Sequence, residues 1–184
     1  LNPGGGVARR MNHAEGTLLT LDVSARTATE SGIEDALETF VGGRGLATAL
    51  AHERIPFDAD PMGPENRLYV STGPFQQSRT SFTGRMNATG LSPLTDGLLS
   101  ANAGGYLSRN FVATGHPCVE VVGESDELLA VHVRDDGVGF EPVPDLAGAT
   151  VPEVTGHVAR EHDLGAENVL CVGPAGENGV RFAS

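Results

Sequence analysis

Apolar residues recur along this chain at two spacings, and the changes between them mark out its elements. Residues 17–23 (TLLTLDV) form a short apolar run that predicts a strand, and the polar stretch SARTATESG after it predicts a turn. Ile33, Ala36, Leu37 and Phe40 then fall at helical spacing, with Glu34, Asp35 and Glu38 on the other side. Ser31 is placed to cap that helix, and Glu34, three residues on, to close a capping box. VGGRG breaks the helix, and residues 46–53 (LATALAHE) start another that ends before Pro56. Residues 67–72 (RLYVST), 118–123 (CVEVVG), 128–133 (LLAVHV), 138–143 and 168–172 (NVLCV) predict strands, and a last apolar start lies at 180–183. Asp136-Gly137 predicts a hairpin turn between the third and fourth of these. Helices are expected over 106–113 and 151–162. From Phe75 to Gly105 no amphipathic period survives, and Gly, Ser, Thr and Asn replace charge. Short strands and short helices in mixed order, without sustained βαβ alternation, predict an α+β fold.

Composition narrows the function classes. The 184 residues suit one domain or two small subdomains, and 39% are hydrophobic, enough for a sizeable core. No run approaches the roughly 18–20 apolar residues of a membrane-spanning helix. Arg9 and Arg10 have no apolar segment behind them, so residues 1–15 are expected to be a disordered leader or expression scar rather than a signal peptide. With no targeting segment, the expected location is cytoplasmic. Twenty-four acids face twelve bases, all Arg, for a formal charge of −12. The acids are scattered, as on a strongly solvated surface, and no basic patch exists for nucleic acid. A Lys-free, acid-rich composition is also what halophilic cytoplasmic proteins show. Cys118 and Cys171 sit in apolar runs without a CxxC, which predicts buried thiols rather than a zinc or iron–sulfur site.

Candidate chemistry is concentrated in glycine-rich loops. The 25 glycines cluster at residues 42–45, 84–105 and 173–179, well above the usual share of about 7%. Glycine lets backbone amides approach a ligand closely, although tight turns alone explain any one cluster. Without Lys a P-loop is excluded, and no GxGxxG opens a helix. Arg85, in the nearly uncharged SFTGRMNATG, and the segment Asn102, Ala103, Gly104 and Gly105 together suit a phosphate or a polar heterocycle. His52, His116, His132, His157 and His162 form no HxH or HExxH pattern and are expected to be surface or structural. Ser92 and Ser100 lack a GxSxG setting, and the acids are expected on solvated faces, so no catalytic residue is assigned.

The stretches VGGRGLA (41–47), DPMGPENRLYVSTGPF (60–75), TGRMNATGLSPLTDGLLSANAGGYLSRNFVATGHPCVEVVG (83–123) and VGPAGENGVRFA (172–183) run collinearly through the chain. In order and spacing they resemble the N-terminal domain of the aldehyde ferredoxin oxidoreductase family. That resemblance implies an α+β domain with short strands in two sheets, over residues 16–184, truncated at its C-terminus. It implies a base for tungstopterin, a tungsten ion held by two pterins, in an enzyme that oxidises aldehydes to carboxylic acids with ferredoxin as acceptor. Arg85 becomes the pterin-contacting Arg, and Asn102, Ala103, Gly104 and Gly105 the backbone beneath the cofactor. The Asn102 carbonyl becomes a contact to the magnesium ion that joins the pterin phosphates. The loop FQQSRTSFT departs from the family's pattern. The 4Fe–4S cluster and the acid/base residues are expected only in further C-terminal domains, which become partners of this one. Alone, the chain is expected to be inactive, with residues 75–105 partly exposed. The alternative is a non-catalytic binding or assembly module, or a self-associating remnant forming a homodimer.

Overall fold

Strand β1 (Thr17–Asp22) buries Leu18 as well as Leu19 and Leu21, and in a strand such neighbours point to opposite faces. A strand buried on both sides belongs inside a layered fold. The structure, a computed structural model, describes residues 16–76, 78 and 83–183, so the expected leader over 1–15 lies outside the described residues. Six strands form the main sheet, in the order β2-β1-β6-β3-β4-β5. They are β1, β2 (Thr27–Gly32), β3 (Leu68–Thr72), β4 (Arg85–Leu91), β5 (Leu98–Gly104) and β6 (Cys118–Val122). Among the described residues only β1 and β6 pair in parallel. Strands β7 (Leu129–Arg134) and β8 (Gly137–Pro142) form a second, two-stranded sheet around the expected Asp136-Gly137 turn. The α+β class with two sheets is therefore the observed one.

Helices α1 (Glu34–Phe40) and α2 (Gly43–Arg54) cover one face of the main sheet. Leu18, Leu46, Leu50, Tyr69 and Cys118 meet there in the larger core. The two helices follow one another through Gly42 (φ 139°) and Gly43 (φ 56°), backbone conformations that glycine adopts without steric cost. On the opposite face Leu19, Leu21 and Val119 meet Phe111 of α3 (Leu107–Ala113) and the inward residues Val131, Val133, Val138 and Phe140 of the hairpin. Helix α4 (Val151–Glu161) and a last short turn of helix, α5 (Pro174–Glu177), complete the described chain. A cavity of about 780 Å³ remains on this side, lined largely by aliphatic side chains including Leu21, Val70, Val119, Val131, Val154 and Val158. No described helix is long and apolar enough to cross a membrane.

Several expectations are corrected. The polar stretch 27–32 is not a turn but strand β2, and every one of its residues is exposed, so nothing in its polarity alternates. Ser31 therefore pairs with Leu18 in a ladder instead of capping α1, whose cap position holds Ile33 with no side-chain cap bond. Residues 168–172 find no partner strand among the described residues; a short 3-10 turn (Ala166–Asn168) leads into chain outside any strand beside the cavity. Residues 180–183 close a hydrogen-bonded turn, Ala183 N–H donating to the Val180 carbonyl at 2.9 Å. The glycine-rich region supplies β4 and β5, which no apolar period announced. Cys118 is buried, and its burial pushes the thiol up to about 12, whereas Cys171 is only half-buried.

Candidate functional site

The residues singled out around the glycine-rich loop come together at one end of the β4–β5 hairpin. Arg85 stands directly opposite Gly104, Met86 opposite Ala103 and Asn87 opposite Asn102. Gly105 extends the ladder by one bond, its N–H donating to the Gly84 carbonyl at 3.0 Å. A Cβ on Gly84 would sit 3.0 Å from the Gly105 carbonyl oxygen, so a side chain there would push the mouth of the hairpin apart by a few tenths of an ångström. Gly105 itself has φ +126° and open space where a side chain would be. Strand β5 is the rim of the sheet, and residues 101–105 are all exposed. A rim strand leaves one row of backbone N–H and C=O groups unpaired, available to a ligand.

Polar side chains that sequence reading passed over fix this end. Asn87 is 2% exposed, and its amide nitrogen lies 2.7 Å from Ser100 Oγ and 2.9 Å from the Ala101 carbonyl. Thr89 Oγ1, on the same strand, donates to Asn87 Oδ1 at 2.6 Å and fixes the amide whose nitrogen ties β4 to β5. Gln76, also buried, donates through Nε2 to the Arg85 carbonyl. Ser108 Oγ lies 3.2 Å from Gln76 Oε1 and 3.3 Å from the Gly105 carbonyl, binding the start of α3 to Gln76 and to the residue that follows β5. These bonds satisfy buried polar groups that would otherwise each cost about 1–3 kcal/mol. Ser71 Oγ donates to the Gly43 carbonyl at 2.9 Å and seats the start of α2 against the same region.

Two arginines stand at the mouth. Arg85 is exposed and makes no ion pair among the described residues, although the chain carries twice as many acids as bases. Arg109, which the sequence did not single out, donates to Thr83 Oγ1 at 3.3 Å. A guanidinium without a carboxylate partner beside exposed backbone amides is a donor set for an anionic or multiply hydrogen-bonding ligand. The divergent loop FQQSRTSFT lies partly outside the described residues.

A second polar centre is deep in the main sheet. Glu120 of β6 is 1% exposed, an exception to the expectation that the acids are solvated. It accepts from Tyr69 Oη (2.5 Å), Arg67 Nη1 (2.9 Å), Thr20 Oγ1 (2.9 Å) and Arg54 Nη1 (3.3 Å). Burial acts to raise its pKa, but the Tyr69, Thr20 and Arg67 hydrogen bonds and the Arg54 charge outweigh it and hold the carboxyl below the usual range. The Tyr69 hydroxyl is driven the other way by burial and by its bond to Glu120. Every carboxylate contact comes from a donor of this chain, so the cluster is a structural hub. Its members come from β1, α2, β3 and the connection before β3, which no sequence spacing relates.

Comparison with known proteins places these features in a wider set. The family description "Aldehyde ferredoxin oxidoreductase, N-terminal domain" matches residues 18–184. A tungsten-containing aldehyde ferredoxin oxidoreductase of Thermococcus kodakarensis is 32% identical over 151 residues, covering 82% of this chain and 25% of that protein. The WOR-like subunit of an aliphatic sulfonate oxidoreductase of Pyrococcus furiosus is 25% identical over 189 residues, covering 92% of this chain and 29% of its own. The solved active-site complex BamBC of benzoyl coenzyme A reductase, with 1,5-dienoyl-CoA, has a chain that superposes with a TM-score of 0.78 at 21% identity. That likeness covers 82% of this chain and 23% of the other, and it concerns the fold. The chain thus spans about a quarter of the length of the curated relatives it matches.

Proposed function

Because the chain belongs to the aldehyde ferredoxin oxidoreductase family, as its N-terminal domain, we propose that it holds the tungstopterin of an enzyme that oxidises aldehydes to carboxylic acids. The observation that carries this reading is the register that sets exposed Arg85, with no ion pair among the described residues, opposite Gly104 on a strand at the rim of the described sheet. Those residues fit the group: a guanidinium fork matches a pterin phosphate or the polar edge of the ring, and glycines let the backbone lie against it. Asn102, Ala103, Gly104 and Gly105 would carry the underside of the cofactor, and the Asn102 carbonyl would face the magnesium between the pterin phosphates. Gln76, Asn87 and Ser108 hold that backbone in place before any ligand arrives, so little ordering remains to oppose binding. When bound, the tungsten pterin supplies the redox chemistry. The 4Fe–4S cluster, the acid/base residues and the ferredoxin contact belong, in this reading, to further domains of the enzyme.

The test is the tungsten and pterin content of the enzyme carrying this domain, expressed with tungstate. Arg85→Ala removes a charge-assisted bond of about 1.5–3 kcal/mol. Cofactor occupancy should then fall about tenfold or more under limiting pterin, with the far-ultraviolet circular dichroism unchanged. Full occupancy in that variant would overturn the assignment of Arg85.

A further inference from the structure

We propose that His132, Glu141 and His162 form a binding site for a divalent transition-metal ion on the second sheet. Pairing in the β7–β8 hairpin decides which residues share a face. Val131 stands opposite Phe140 and Val133 opposite Val138, and all four pack toward the main sheet. The alternate residues His132, Arg134, Gly139 and Glu141 therefore project from the other face. His132 stands opposite Gly139, where even a Cβ would meet it only in ordinary contact at 3.9 Å, and its imidazole reaches across β8 to Glu141, two residues further on. Its Nε2 is 3.0 Å from Glu141 Oε2.

His162, the residue immediately after α4, comes over the same face. Its ring centroid is 3.9 Å from that of His132, and its Nε2 is 3.5 Å from the same Glu141 Oε2. Two imidazole nitrogens thus converge on one carboxylate oxygen, and the three candidate ligand atoms all lie within 4.8 Å of one another. Ligands bound to one ion at about 2.0–2.2 Å cannot be more than about 4.4 Å apart. Both histidine–carboxylate distances already lie inside that limit, so a small rotation of one imidazole closes the set. The two histidine side chains are 15% and 18% exposed and so held by packing, while Glu141 faces water. Beside them lies a depression of about 320 Å³ lined by His132, Arg134, Asp136, Gly137, Val138 and Gly139, room for the waters that would complete the coordination.

The donor set selects the ion. Two imidazoles and one carboxylate suit Zn²⁺, Co²⁺ or Ni²⁺, whereas Ca²⁺ and Mg²⁺ prefer oxygen ligands. Arg134 is the competing cation. Its Nη2 donates to His162 Nδ1 at 3.3 Å, so Nδ1 is the acceptor and the ring proton stays on Nε2. A metal on Nε2 moves that proton to Nδ1 and releases the guanidinium. The ion then joins the C-terminal end of α4 to the hairpin, two elements whose packing together leaves a large cavity beside them.

Titration of the chain with Co²⁺, followed by visible absorption and competed with Zn²⁺, tests this. One Co²⁺ per chain is expected, with d–d bands of nitrogen/oxygen coordination that Zn²⁺ abolishes. Glu141→Gln, at an exposed position that leaves the fold intact, and His162→Ala should each weaken binding about tenfold or more. Arg134→Gln should tighten it several-fold by removing the competing charge. Zn²⁺ should raise the melting temperature of the wild type and leave that of His162→Ala unmoved. Absence of Co²⁺ bands, or Co²⁺ binding that Glu141→Gln leaves unchanged, would overturn the site.

Discussion

Replacing Glu120 by Ala is expected to lower the folding free energy by about 3 kcal/mol in urea unfolding, the low end of the range for breaking a buried ion pair. The value lies at that end because the partners differ in depth. Arg54 and Arg67 are 29% and 33% exposed and can recover water, whereas Tyr69 is fully buried and would keep only the long 3.5 Å contact to the Leu50 carbonyl. Glu120→Gln keeps the shape, loses the charge and should cost less. Wild type and Glu120→Gln also separate by pH. Because the folded-state pKa is held below the ordinary value, an acidifying unfolded chain takes up the proton first. Glu120 thus stabilises the fold fully above the ordinary carboxylate range, near 4.3, and that stability is lost as pH falls through the folded value. Wild type should lose stability below about pH 4 more steeply than Glu120→Gln. Parallel acid transitions of the two proteins would remove Glu120 as the source.

Leu46→Ala should destabilise the chain by about 3 kcal/mol, since a fully enclosed Leu in a sheet–helix core leaves a cavity when truncated. Leu46 has no exposed surface, on the helix that spans β3 and β4, so the loss also loosens the support of the β4–β5 hairpin. The measurement is again the urea midpoint, with an unchanged slope showing that the unfolded state is unaltered. Leu170→Ala is the contrast. That side chain is 60% exposed despite lying in the apolar run 168–172, and its truncation should shift stability by no more than about 0.5 kcal/mol.

Leu46 was legible in the sequence and Leu170 was misleading, for one physical reason. A repeat such as Leu46, Ala47, Leu50 and Ala51 states which side of a helix is buried, whereas NVLCV states only that a segment is apolar. Strand β2 carries no apolar alternation because it lies on the rim and buries nothing, so its polarity imitates a turn. β4 and β5 escaped for a related reason: the buried Asn87 is satisfied across the hairpin by Ser100 and Ala101 and is held by Thr89 of its own strand, a property of pairing rather than of composition. Arg85 and residues 102–105 were singled out by the glycine pattern and the family motifs, and the ladder sets Arg85 opposite Gly104. Gln76, Ser108 and Arg109 had no such signal, because what gives them meaning is the approach of three separate segments. The same is true of Glu120, and of His132 and His162, which no local spacing connects.

The two rims of the main sheet are unlike, and that difference reaches beyond a single molecule. The β2 rim carries Glu30, while the β5 rim, LLSANAG, has no charge and exposes Leu98 and Leu99. An uncharged rim is a template on which a further strand, from any chain, can hydrogen-bond. The net charge of −12 keeps like molecules apart in dilute buffer, but added salt screens it within about 10 Å at 0.1 M. Colloidal behaviour should therefore depend on ionic strength through β5: whatever covers that strand governs how concentrated a solution of this chain can become.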